Sequence, residues 1–194
     1  MANNQESFVG QPIKHGPVLY FCSDDGSEMV TDRLRMVAKF RLGTEQYEGI
    51  ILVDRGELNL AKSGADFMLA NTMHQLADHY EMRPILIVVD TAAMAGVSTE
   101  DFGHNVPAQI GWLKRAAADY SCAIILIDHV SKAPKLDQDT RIRGWGSVNK
   151  AGFFEAAWVL DKDKSNHCIV NIKAADKRSP KEFDLWLEFS DEIG

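Results

Sequence analysis

At 194 residues, with 45% apolar side chains, the chain is long enough to bury one ordinary core, and a single α/β domain is the expected organisation. No apolar run of about 18 residues occurs, and the N-terminus Met-Ala-Asn-Asn-Gln-Glu-Ser lacks the basic, apolar, small-residue order of a signal peptide, so a soluble, cytoplasmic protein is expected. A formal charge of −7 excludes a surface that grips nucleic acid throughout, because phosphate contacts need clustered lysine and arginine.

Residues 1–16 carry little pattern, and the pair Gly16-Pro17 punctuates the start of an expected domain over 17–194. Residues 18–22, VLYFC, read as a strand that runs into the acidic turn Ser23-Asp24-Asp25-Gly26-Ser27. That turn caps a predicted helix over 28–40, with Met29, Leu34, Val37 and Phe40 spaced as an apolar stripe. A second short strand follows at 49–54, and a helix over 64–81 carries Phe67, Leu69, Met73, Leu76, Ala77 and Tyr80 at helical spacing.

Residues 83–91, RPILIVVDT, organise the rest. Five apolar residues, four of them β-branched, precede Asp90 and Thr91, a run suited to a strand buried on both faces and hence to a parallel sheet under helices. In such sheets the ligand crevice lies beyond the carboxyl ends of the strands, where Asp90 emerges. An acid there holds the water shell of a magnesium ion in some nucleotide hydrolases and merely caps a loop in many other proteins.

Beyond it the chain predicts a helix over 107–120, a fully apolar strand over 122–127 ending in Asp128-His129, and a long polar loop over 130–146. From 131 to 150 the basic residues Lys132, Lys135, Arg141, Arg143 and Lys150 outnumber Asp137 and Asp139, which makes this the one stretch suited to a local phosphate contact. Residues 148–160 look helical. Strands at 167–174 and 183–189 flank the turn Asp176-Lys177-Arg178-Ser179-Pro180 and read as an antiparallel hairpin. Cys22, Cys122 and Cys168 are odd in number and far apart in apolar surroundings, which suits small core residues and indicates neither a disulfide framework nor a zinc site.

Taken in order, a strand ending in Asp24-Asp25, a strand ending in Asp90-Thr91, the run Asp128-His129-Val130-Ser131-Lys132, the pair Arg143-Gly144 and a terminal hairpin resemble the RecA-like ATPase core of hexameric replicative helicases. Within that AAA/P-loop ATPase group the likeness is nearest to the plasmid RepA-type helicases and spans roughly residues 8–190. The resemblance implies a mostly parallel, helix-flanked sheet with a C-terminal antiparallel hairpin, and ATP and Mg2+ as cofactors. It also implies a homo-oligomeric ring and single-stranded DNA as a partner, with no membrane contact. By resemblance, Asp24 or Asp25 orients the attacking water, where the group carries a Glu-Asp pair. Asp90 holds magnesium through water, and His129 senses the γ-phosphate. Lys132, Arg141 and Arg143 contact DNA, and Lys177 and Arg178 reach the nucleotide of an adjacent protomer.

Two features depart from the group. No G-x-x-x-x-G-K-[ST] stretch, the loop whose amides and lysine cradle the phosphates, occurs anywhere; the group's order places that loop, with its strand and helix, upstream of Phe8. Ala157 stands near where the RepA-type proteins carry an arginine that reaches the neighbouring site. Hydrolysis by this chain alone is therefore expected to be lost or very slow, with a longer chain or a partner supplying the loop. The alternative is a non-catalytic RecA-fold subunit that oligomerises or docks on a partner and binds single-stranded nucleic acid.

Overall fold

The computed structural model describes residues 7–8, 11–54, 57–81, 83–97, 106–128, 155–162, 169–176 and 183–188. The chain divides into two units, Met1–Thr99 with Ala108–Asp128, and Glu100–Pro107 with His129–Gly194.

The first unit begins with two short antiparallel strands, β1 (Ser7–Phe8) and β2 (Gln11–Pro12). Its body alternates strand and helix: β3 (Val18–Cys22), α1 (Ser27–Leu42), β4 (Ile50–Val53), α2 (Ala65–Tyr80), β5 (Leu86–Asp90), α3 (Val106–Asp119) and β6 (Ala123–Ile127). The four longer strands form a wholly parallel sheet in the order β4-β3-β5-β6. Helical crossovers are what parallel neighbours require, since a tight turn cannot return the chain to run in the same direction. The α/β sheet under helices is thus the one the apolar run at 83–91 predicts.

Burial follows position in the sheet. On β5, three consecutive residues, Ile87, Val88 and Val89, are buried, so both faces are covered. Leu19 and Phe21 of β3 join them, and Leu58, Leu60, Ala92, Ala95 and Val97 close the core from the loops. The amide of Leu60 donates to the Ala95 carbonyl at 2.7 Å, tying two of these loops together.

The predicted stripe on α1 is rotated from its expected place. Val30 and Ala38 are buried with Leu34 half-buried between them, whereas Met29, Val37 and Phe40 are exposed, Phe40 by 59%. Helical spacing fixes the angle between side chains but not the roll of the helix about its axis. At the first turn the Ser27 amide donates to the Asp54 carboxylate at 3.1 Å. On α2 the inward face is Ala65, Leu69 and Met73, and Phe67, expected to belong to it, is 75% exposed.

The second unit contains three antiparallel strands in the order β7-β8-β9: β7 (Ala156–Lys162), β8 (Ile169–Asp176) and β9 (Phe183–Glu188). β8 and β9 are the predicted hairpin, with Ile172 opposite Leu185. The helix expected over 148–160 is corrected over its last five residues, which lie in β7, with Ala157 opposite Ala175 and Leu160 opposite Ile172. Short apolar runs such as Trp158-Val159-Leu160 suit either state, and a seven-residue register against β8 satisfies the backbone in the extended one. Residues 148–154 lie outside the described residues.

Candidate functional site

Because β3, β4, β5 and β6 are parallel, their carboxyl ends share one rim of the sheet. In the ladder Phe21 stands beside Val53, Cys22 beside Asp90, and Asp90 beside Ile127. One or a few residues further on, the chain therefore delivers Asp54 from β4, Ser23-Asp24-Asp25 from β3 and Asp128 from β6 to the same edge as Asp90.

Hydrogen bonds hold that edge. The Ser23 and Asp24 amides both donate to the Asp90 carbonyl oxygen, at 2.6 and 2.9 Å, and the Ala92 amide donates to the Ile127 carbonyl at 2.7 Å. The Asp90–Thr91 peptide is cis, and Thr91 is buried behind the rim. The Tyr20 hydroxyl, from a residue in register with Val88, crosses diagonally and donates to Asp90 Oδ2 at 2.5 Å. Arg33, on the first turns of α1, pairs with Asp25 at 2.5 Å. Asp24 is exposed beside that pair.

The ionisation behaviour reports the same crowding of carboxylates. Burial pushes the Cys22 thiol up to about 11, assisted by the negative charges of Asp54, Asp90 and Asp25. Tyr20 is also pushed up, first by burial and then by its hydrogen bond to Asp90 and the charge there, with Arg33 opposing. The phenol therefore stays protonated, and stays a donor, far above neutral pH. On Cys122 burial alone raises the thiol.

The structure brings Asp24, Asp25 and Asp90 together on one rim, while His129, Lys132, Arg141, Arg143, Lys177 and Arg178 lie outside the described residues. Sequence reasoning missed Asp54 and Tyr20. Asp54 carried a readable signal, since it ends an apolar strand as Asp90 does. Tyr20 carried none, because a tyrosine inside a strand looks like any other packing residue.

A cation's fit to this rim follows from the donors. Among the described residues no group of three or more His, Cys, Asp or Glu side chains is placed to hold a metal ion directly. The rim offers carboxylate oxygens around Asp90. Magnesium takes oxygen donors, keeps several of its waters and uses one or two carboxylates, so the residues present fit water-mediated binding of that ion.

Parallel strands, helical crossovers and acids at the carboxyl rim define an open parallel α/β sheet with its ligand edge at the carboxyl ends of the strands. A protein-family model described as an AAA domain matches residues 1–135, and the chain belongs to that family. The structure is similar to the crystal structure of the RadB recombinase, with a TM-score of 0.63 and 15% sequence identity, over 90% of this chain and 76% of that one. No curated protein matches the chain. Among the described residues, no helix is long and apolar enough to cross a membrane.

Proposed function

We propose that the chain is a RecA-like ATPase module of DNA replication or recombination, of the helicase type, which works as part of an oligomer and contacts single-stranded DNA. The observation that carries this reading is the rim itself: Asp24, Asp25 and Asp90 converge at the carboxyl ends of adjacent parallel strands in a chain of the AAA-domain family. The RecA-like fold shared with a recombinase supports it.

In this reading Asp90 would hold magnesium through its water shell, and the ion would supply charge neutralisation for the phosphates. Asp24 or Asp25, the two acids after β3, orients the attacking water; Asp25 is paired with Arg33. His129, one residue beyond Asp128, senses the γ-phosphate; Lys132, Arg141 and Arg143 bind the DNA backbone; Lys177 and Arg178 reach a neighbouring protomer's nucleotide. No G-x-x-x-x-G-K-[ST] stretch occurs in these 194 residues, and in this reading a partner supplies the phosphate-cradling loop.

The test is ATP turnover by the purified chain with and without single-stranded DNA. Measurable DNA-stimulated hydrolysis that Asp90→Asn abolishes supports the ATPase reading, although hydrolysis by the chain alone is expected to be very slow. The missing G-x-x-x-x-G-K-[ST] stretch favours a second reading, a non-catalytic RecA-fold subunit. Undetectable turnover together with retained DNA binding selects it.

A further inference from the structure

Asp90 is held on nearly every side. Its main chain is fixed by the ladder to β3 and β6 and by the two amides of Ser23 and Asp24 on its carbonyl oxygen. What remains free is the side chain, which turns about two torsions. The Tyr20 hydroxyl removes that freedom by donating to Oδ2 at 2.5 Å, while Oδ1 carries no hydrogen bond from the described residues. The tyrosine is half-buried, and its backbone is laddered to both β4 and β5. A half-buried phenol on a central strand presents its hydroxyl from a fixed backbone.

We propose that Tyr20 is a positioning residue, which fixes one oxygen of Asp90 so that the other is presented at the rim to the water shell of a divalent cation. This rests on the reading of Asp90 as the cation-facing carboxylate. A carboxylate that contacts an ion only through water gains nothing from the strong directional pull of a direct bond, so its orientation has to come from the protein. Outer-shell partners of this kind change metal affinity by about 10–100-fold when removed, and the lower end suits a contact that is already water-mediated.

The experiment uses the full chain, with Mn2+ as the probe and its electron paramagnetic resonance signal as the readout of free ion. Wild type, Tyr20→Phe and Asp90→Asn are titrated side by side. Tyr20→Phe keeps the ring and removes only the donor; it is expected to weaken Mn2+ binding about tenfold, with a melting profile close to wild type. A second measurement needs no variant to remain folded. In chain labelled with 3-fluorotyrosine, one of the four tyrosine resonances moves on addition of Mg2+, and it belongs to position 20, whereas those of Tyr47, Tyr80 and Tyr120 stay in place. If Asp90→Asn loses Mn2+ while Tyr20→Phe binds as tightly as wild type, the positioning role is overturned and the reading of Asp90 stands; if wild type binds the ion and no tyrosine resonance moves, the positioning role is overturned as well. If Asp90→Asn binds as well as wild type, the reading of Asp90 falls and the role of Tyr20 falls with it.

Discussion

β5 and β6 are nearly interchangeable as text, LIVVD against AIILI, and run side by side in perfect parallel register. Their surroundings differ. β5 lies between two strands and buries Ile87, Val88 and Val89 in succession, whereas β6 is the terminal strand of the sheet among the described residues and leaves Ile125 48% and Ile127 36% exposed. An apolar run therefore establishes that a segment is a strand without establishing that it is central. Catalytic and binding groups gain from the central position, because a carboxylate at the end of β5 has neighbours on both sides to orient it and one at the end of β6 has fewer.

The largest expected effect tests this contrast directly. Ile87→Ala removes a side chain from a fully packed site and is expected to lower stability by about 2–5 kcal/mol. Ile125→Ala, one register position further along on the partially exposed strand, is expected to cost under about 1 kcal/mol. Urea denaturation of both variants measures the difference, and equal losses would break the comparison.

The two described cysteines extend it to ionisation. Cys22 sits within β3 against the rim acids, and Cys122 leads into β6, half-buried. Cys22 keeps its proton up to about 11 in the folded chain, against an ordinary value of 9.0. Below the ordinary value the thiol is neutral in both folded and unfolded states, and its contribution to stability is fully present. As pH rises from about 9 to about 11 the unfolded chain ionises first, so that contribution is lost. Denaturation midpoints should fall through this window in wild type and fall less in Cys22→Ala. Alkylation at mildly alkaline pH, followed by mass spectrometry, should modify Cys122 before Cys22.

The smallest effect concerns the two polar pairs of the rim. The Tyr20–Asp90 contact is part-buried, while in the Arg33–Asp25 pair the arginine side chain is 60% exposed. Exposed pairs of this kind are screened by water and salt, so Arg33→Ala should change stability by under about 1 kcal/mol, and less at high salt. A larger loss would show that Arg33 also holds α1 in its roll against the sheet.

Much of this was legible in advance. The alternation of strands and helices, the strand over LIVVD and the acids at strand ends follow from hydrophobic period and turn chemistry, which act over a few neighbouring residues. The face of α1 that turns inward was not legible, because helical spacing fixes the angle between side chains but not the roll of the helix against the sheet. The strand state of β7 was not legible either, since its register with β8 supplies backbone partners that no local pattern records.

The candidate site divides along the same line. Asp24, Asp25 and Asp90 could be named from the sequence because each follows an apolar run and so must emerge at a strand end. That Tyr20 donates to Asp90 across 70 positions, and that Arg33 pairs with Asp25, was decided only when the chain came together. Local patterns determine which groups reach the end of a strand; which of those groups touch depends on strand order and register, which are properties of the assembled sheet.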